Sequence, residues 1–355
     1  MTRVLLIKSS SLGDVIHCLP AVSDLSRQIP DLSLDWVIED SLADIARLHP
    51  AVTRVIPVRL RHWRRHLLAG ETWREFGVFR SRVGGVRYDR VIDAQGLIRS
   101  ALLARLAKGL HCGYDAQSVR EPPASLFYDR KYAAGVTLHA VERMRRLVAQ
   151  SMGYDVPAEL DYGVRTTGGR AEWLVDQPYL VGLHATARAD KTWAEDLWIE
   201  LARRAANQGL SIVLPWGGDA ERQRARRIAE VSPNAIVPPA LGFADLAALL
   251  AGAAAVVGVD TGLTHLASAV GAPVVAIYAA SWSEFNGVMG PGFVANLGGP
   301  GAPPGVDEVW AQTLAAVQSG RKDGAWRAEA AEPPPDLAGR RRFRPSNARA
   351  VIHRR

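Results

Sequence analysis

Val4-Leu5-Leu6-Ile7-Lys8 runs directly into Ser9-Ser10-Ser11-Leu12-Gly13-Asp14, and the junction between the two decides the fold. An unbroken aliphatic run of this length suits a strand buried on both faces. Small Ser and Gly residues end it, and residues 14–28 then carry apolar side chains at helical spacing. A strand, a small-residue loop and a helix form the first half of a parallel crossover unit. The pattern recurs at strands 33–38 and 91–94, the latter after the Tyr88-Asp89 turn, with a helix predicted over 96–108. Residues 159–178 are rich in Gly, Thr and charge, lack periodicity and read as a linker. Beyond them the alternation resumes, with strands predicted at 179–184, 211–215, 254–259 and 274–278. Helices are expected at 194–207, 220–232, 243–251 and 264–270, closed by one at 307–318. Two such blocks predict an α/β protein of two doubly wound parallel sheets. Ligand would lie between the carboxyl ends of their strands.

Composition sets the outer limits. The chain has 355 residues, 48% hydrophobic and 22% charged, which is ordinary for a globular protein of two domains. We divide it at 1–165 and 166–320. Residues 321–355, with Glu332-Pro333-Pro334-Pro335 and the cluster Arg340, Arg341, Arg342 and Arg344, read as a basic disordered tail. The two cysteines, Cys18 and Cys112, form no CxxC pair, which argues against a disulfide framework or structural zinc and for a reducing compartment. Cys18 reads as a packing thiol. The start lacks a signal-peptide pattern and no stretch approaches the roughly 20 apolar residues of a spanning helix. A cytoplasmic protein that touches membrane only from its surface is expected. The net charge of +7 favours anionic partners. Arg59, Arg61, Arg64 and Arg65 gather around Trp63. That group suits nucleic acid, acidic sugar or lipid headgroups, or is simply a solvated helix face. No nucleic-acid-binding motif accompanies it.

Four loops at strand ends could carry chemistry. In Lys8–Asp14, Ser and Gly let a ligand approach backbone N–H groups at a helix start. The GxGxxG spacing and the GKS ending of phosphate loops are both missing. Asp14 is either a carboxylate that complements the helix dipole or a general base kept ionised there. In His184–Trp193, Lys191 is an exposed loop lysine or a cation for a phosphate, and Thr186 shares its loop. Trp193 is an aromatic shelf for a ligand or, the favoured reading, packs at a helix start. After the strand at 211–215, Glu221 is a helix-start charge or a partner for ribose hydroxyls. The fourth, Val259-Asp260-Thr261-Gly262-Leu263-Thr264-His265, joins a buried strand to a helix whose first turn offers N–H and hydroxyl donors, a phosphate-binding arrangement. His265 is a structural hydrogen-bonding histidine or part of that site. Asp-Thr-Gly also marks aspartic proteases, but in β-rich lobes, unlike this strand–helix alternation. No metal-ligand spacing and no Gly-x-Ser-x-Gly elbow is present.

Together these segments resemble the heptosyltransferase family of lipopolysaccharide core assembly, most of all its members that add the first heptose to Kdo-lipid A. The resemblance covers residues 1–318. It is carried by Lys8–Asp14 with His17 and Pro20, Asp35-Trp36-Val37, Val55-Ile56-Pro57 and Val91-Ile92-Asp93-Ala94-Gln95-Gly96-Leu97. Further markers are Arg120-Glu121-Pro122, Ser125–Tyr128, His139–Arg143, His184-Ala185-Thr186, Lys191 with Trp193, Leu214–Gly217 and Asp260–Leu266. It implies a GT-B fold, two Rossmann-like doubly wound domains facing across a cleft. The acceptor domain would be the first and the nucleotide-sugar domain the second. It also implies ADP-heptose as donor, a Kdo-lipid A acceptor, an inverting transfer that needs no cofactor or metal, and a monomer working at the anionic inner face of the inner membrane without nucleic acid. By this likeness Asp14 is the base, Thr186 and Lys191 hold the diphosphate with Thr261, Gly262 and His265, Glu221 meets the ribose and Asp260 the sugar. Ser10, Gly13, Gln95, Arg61, Arg64 and Arg120 would face the acceptor. Two departures stand out: Ala187 where the family has a second hydroxyl residue, and Ala279-Ala280-Ser281-Trp282-Ser283 in place of Gly-Pro-Thr-Asp-Pro.

Overall fold

The computed structural model describes residues 1–166, 171–174 and 177–322. The tail expected beyond, with its arginine cluster, and part of the expected linker lie outside the described residues. The first half forms one six-stranded sheet from β1 (Thr2–Ile7), β2 (Leu32–Glu39), β3 (Val52–Val58), β4 (Arg87–Asp93), β5 (Lys108–Tyr114) and β6 (Arg130–Tyr132). Its helices are α1 (Leu12–Gln28), α2 (Ala43–Arg47), α3 (Leu60–Arg65), α4 (Gly70–Gly84), α5 (Ile98–Ala104) and α6 (Ala140–Met152). The second sheet holds β7 (Tyr179–Leu183), β8 (Ser211–Val213), β9 (Ala235–Ile236), β10 (Ala255–Val259), β11 (Val274–Tyr278) and β12 (Val294–Gly298). Its helices are α7 (Glu195–Asn207), α8 (Asp219–Ala229), α9 (Phe243–Ala251), α10 (Gly262–Ala269), α11 (Ser283–Asn286) and α12 (Val306–Lys322).

Strand order is β3-β2-β1-β4-β5-β6 in one sheet and β12-β11-β10-β7-β8-β9 in the other, and every pairing is parallel. Counted from its own first strand, each sheet has the same doubly wound order. The order reverses between β1 and β4 and again between β7 and β10. Loops leaving adjacent strands there turn to opposite faces and open a crevice at the carboxyl edge. The four loops singled out in the sequence leave β1, β7, β8 and β10, and three of those strands flank a reversal point. The two lobes are thus doubly wound GT-B halves, as expected.

Packing fixes how the lobes meet. One apolar cluster contains residues of both sheets, from Val4, Leu6 and Leu19 to Val181, Val256 and Leu266. At its centre α1 lies on α10. A β-carbon added to Gly262 would sit 2.4 Å from Cγ of Leu12, so only a glycine lets the two helix starts approach this closely. Within the first lobe, α6 is locked to α1 by a buried pair: Arg145 Nε and a terminal nitrogen donate to the two oxygens of Asp24 at 2.6 and 3.0 Å. Both cysteines are buried and free, and burial pushes the Cys18 thiol up to about 12.

Some elements differ from expectation. The helix expected over 96–108 is shortened to α5, because Gly96 takes a left-handed φ of 67° and Lys108 already belongs to β5. Strands β3, β5, β6, β9 and β12 were not anticipated. β6 and β9 have three and two residues and are half-buried or exposed edges, too short for a period to show.

Candidate active site

Between the lobes lies a cleft of about 1110 Å³ lined from both sides. Ser11 precedes the first turn of α1 and Asp14 is its third residue. Ser11 donates its backbone N–H (3.0 Å) and its hydroxyl (2.9 Å) to the same oxygen of Asp14, the reciprocal half of a capping box. Lys8, almost wholly buried just past β1, brings its ammonium to 3.6 Å from the other oxygen. Burial pushes the Asp14 carboxyl up. Lys8, the two Ser11 hydrogen bonds and Arg120 outweigh that and hold it below the ordinary carboxylate range. Asp14 therefore stands ionised in the cleft wall at neutral pH.

The neighbouring loop is built around another carboxylate. Asp93, wholly buried at the end of β4, accepts hydrogen bonds from Tyr128 Oη (2.7 Å), Ser100 Oγ (2.8 Å) and the backbone of Gln95 (2.9 Å) and Gly96 (3.2 Å). This fixes Gln95, whose side-chain oxygen accepts from the backbone N–H of Ser9 (3.0 Å) and Ser10 (3.1 Å). The loops after β1 and β4 are thereby tied across the reversal point. Gln95 lines the cleft as expected, with its carbonyl end holding the loop that carries Ser10.

Across the gap, Lys191 Nζ donates to Asp260 Oδ2 at 2.6 Å, and the Ser281 hydroxyl donates to the same oxygen. Thr186 Oγ1 donates to the Asp260 carbonyl at 3.2 Å, which joins the loops after β7 and β10. The N-terminal turn of α10, with Thr261 and Gly262, opens into the same cleft. His265 lies one turn further on. Its Nδ1 is 3.1 Å from Nε2 of His17 on α1, and the His139 ring stands edge-on to His17 with centroids 5.5 Å apart. Burial, then the like-charging histidines around it, holds His17 well below its ordinary value. Burial does the same to His265 against the opposing pull of Asp260 and Asp14. Three imidazoles are thus neutral where the lobes meet.

Most residues expected from sequence come together here. Ser10, Gly13, Asp14, Gln95, Arg120, Thr186, Lys191, Asp260, Thr261, Gly262 and His265 all line the cleft. Arg61, Arg64 and Glu221 are not among its lining residues. Arg61 lies in the first turn of α3, where the Glu39 carboxylate accepts the backbone N–H groups of Leu60 and Arg61. Glu221 accepts the Gly217 N–H at 2.7 Å and closes its own loop, one strand out from β7. Ala187 lines the cleft without a hydroxyl, whereas Ser281, inside the departing stretch, supplies one to Asp260. Sequence reasoning did not assign roles to Lys8, His17, Arg99 or Ser281. Lys8 was legible in principle as the charged residue that ends an apolar strand. The pairing of His17 with a histidine 248 residues away left no local signal. Among the described residues no group of three or more His, Cys, Asp or Glu side chains is arranged to hold a metal.

An ionised carboxylate on one wall and a cation, hydroxyls and a helix N-terminus on the other suit transfer of a group from a diphosphate to a hydroxyl. Known proteins agree. Residues 77–299 match the model of glycosyltransferase family 9 (heptosyltransferase). The lipopolysaccharide heptosyltransferase 1 of Pseudomonas aeruginosa is 48% identical over 297 residues, 81% of each chain. The structure of E. coli heptosyltransferase WaaC with ADP superposes with a TM-score of 0.82 at 40% identity, covering 89% of this chain and all of that one. The same enzyme with ADP-2-deoxy-2-fluoro heptose gives 0.77 at 40% identity over 91% of this chain and all of the other. The chain is a transferase and belongs to glycosyltransferase family 9, the heptosyltransferases.

Proposed function

We propose that this protein moves L-glycero-D-manno-heptose from ADP-heptose to a Kdo hydroxyl of Kdo-lipid A, in assembly of the lipopolysaccharide inner core. The observation that carries the reading is the ionised Asp14 facing, across one cleft, the cradle made by Lys191, Thr186 and the start of α10. The kinship with a heptosyltransferase solved with an ADP-heptose analogue supports the donor.

The acceptor hydroxyl oxygen forms a bond to the anomeric carbon while the bond from that carbon to the diphosphate oxygen breaks. The electron pair leaves with ADP, and the hydroxyl proton passes to Asp14. A single displacement of this kind inverts the anomeric centre. Charge grows on the leaving diphosphate, where Lys191, Thr186, Thr261 and the N–H groups of α10 can receive it without rearrangement. Lys191 pairs with Asp260. Diphosphate would draw the ammonium away and leave the Asp260 carboxylate for sugar hydroxyls. Ser10, Gly13, Gln95 and Arg120 form the acceptor wall, with Arg61 and Arg64 at its outer approach. Glu221, in the first turn of α8 after β8, is assigned to the ribose end by family likeness. Residues 1–165 act as the acceptor domain and 166–320 as the donor domain. The protein works as a cytoplasmic monomer at the membrane face where its lipid acceptor lies.

Purified protein should convert Kdo-lipid A with ADP-heptose and leave an already heptosylated acceptor untouched. The reverse preference would point to the second heptosyl transfer instead. Asp14→Ala should lower turnover by roughly 10²–10⁴ with ADP-heptose binding retained. Turnover near wild type in that variant would remove Asp14 from the mechanism.

A further inference from the structure

Outside the cleft, the hairpin of α3 and α4 carries an apolar surface that the proposed chemistry does not use. Leu68 is fully exposed, and Leu67 and Trp73 are 55% and 60% exposed. They form one fixed patch. Trp73 Nε1 donates to the Leu67 carbonyl at 2.9 Å, and Thr72 Oγ1 donates to the His66 carbonyl at 2.8 Å. The connection at 66–69 is therefore pinned to α4 with its leucines turned outward. Underneath, the hairpin is anchored. Trp63 is buried, donates its indole N–H to Glu75 at 2.7 Å and packs edge-on against Phe76 and Phe79.

Charge surrounds this patch in a particular way. Arg59 and Arg74 on the same hairpin are paired with Glu75 and Glu71. Arg64 and Arg65, in the last turn of α3 next to the leucines, are exposed and join no ion pair among the described residues. An outward tryptophan and two leucines beside uncompensated arginines is the composition of a surface that sits in a bilayer interface. The indole and leucines enter the acyl boundary while the guanidinium groups bind headgroup phosphates. A protein partner would need carboxylates for those arginines, and a second copy of this hairpin would set arginine against arginine.

The patch is also in the right place. α3 starts at the carboxyl edge of β3, with Arg61 against Glu39. Arg99, whose charge also acts on Glu39, lines the cleft. A membrane under the hairpin therefore adjoins the acceptor wall.

We propose that Leu67, Leu68 and Trp73 form a wedge that inserts into an anionic bilayer surface, with Arg64 and Arg65 on the headgroups, so that the cleft opens toward lipid still seated in the membrane. This rests on the acceptor being a membrane lipid, as proposed above. Tests use the full chain and phosphatidylethanolamine vesicles with or without phosphatidylglycerol. Wild type should sediment with the anionic vesicles and be released by salt. The double variant Leu67→Asp, Leu68→Asp should bind roughly tenfold more weakly or worse, and Arg65→Gln about fivefold more weakly. The fluorescence lost in Trp73→Phe should be the part that blue-shifts on binding and is quenched by brominated acyl chains. The leucine variant should keep its melting temperature and its turnover on a water-soluble, deacylated acceptor, and lose turnover on vesicle-embedded acceptor. Vesicle binding unchanged in the leucine variant, or a Trp73 signal untouched by brominated lipid, overturns the wedge. So does self-association that the leucine change abolishes while vesicles are ignored. No turnover by wild type on the soluble acceptor would instead sink the Kdo-lipid A acceptor proposed above.

Discussion

Among the described residues Lys8 has one charged neighbour at ion-pair distance, Asp14 at 3.6 Å, and lies nearly out of reach of water. Burying a cation this deeply is costly unless a carboxylate compensates it. The pair therefore does two things at once, holding the wall and keeping the base ionised. Lys8 pulls the Asp14 carboxyl down, so Lys8→Met should move the acidic limb of the turnover profile to higher pH. The sign follows from the sequence of charges. Without the ammonium, burial acts against fewer opposing groups, the carboxyl holds its proton to higher pH, and less base is available there. A pH series of turnover under saturating donor checks this, and an unmoved limb would show that Lys8 does not tune Asp14. Gln95 makes a different prediction. Its side-chain oxygen receives two N–H groups from the loop carrying Ser10, so Gln95→Leu orphans both inside the wall. A stability loss of about 1–3 kcal/mol per unsatisfied donor is expected, together with a raised KM for acceptor. Chemical denaturation and acceptor titration would measure them.

At the scale of elements, the contact of α1 with α10 is where sequence was least informative. The aliphatic runs of β1, β7, β10 and β11 and the helices after them could be read directly, since strands buried on both faces leave continuous apolar runs. The Asp14, Lys191 and Thr261-Gly262 loops could be placed at strand ends for the same reason. The position of Leu12 over Gly262 could not, because it depends on how two sheets meet and not on any local period. Neither could the pairing of His17 with His265, nor the distance of Arg61, Arg64 and Glu221 from the cleft lining. Those residues occur in the right segments, but side-chain direction at a loop or helix start is set by local caps such as Glu39 and Gly217. The tight helix contact gives its own prediction. In Gly262→Ala the new methyl falls 2.4 Å from Leu12 Cγ, and overpacking of this kind costs about 1–3 kcal/mol. Leu12→Ala creates room at the same spot, so the double variant should recover much of that loss. A double-mutant cycle by thermal unfolding would read the coupling, and simple additivity would show that the helices do not meet as described.

At the scale of the whole molecule, five buried histidines among the described residues are held neutral. His17, His139 and His265 gather where the lobes join, His49 lies within the first lobe and His184 within the second. Burial lowers all five, with His49, His184 and His265 each brought down to about 4. In the unfolded chain each would titrate near 6.5. Between those values the unfolded chain binds protons that the folded one refuses, so their stabilisation is complete above about pH 6.5 and drains away as pH falls toward 4. Each imidazole with such a shift contributes about 1.4 kcal/mol of loss per pH unit in that window. Taken from about pH 7.5 to 5.5, His49, His184 and His265 together cost roughly 4 kcal/mol, a sizeable share of the roughly 5–15 kcal/mol that holds a typical protein folded, and His17 and His139 act in the same direction. Three of the five sit between the lobes, so acid weakens the union of the lobes as well as the lobes themselves. Calorimetry should show a single transition near neutrality that falls steeply and separates into two as pH drops. His17→Phe removes one junction group that must charge and keeps a flat ring in the same place. Its melting temperature should fall less steeply with acid than that of the wild type, whatever its stability at neutral pH. Equal slopes for the two proteins would mean that His17 does not change its protonation when the lobes come apart.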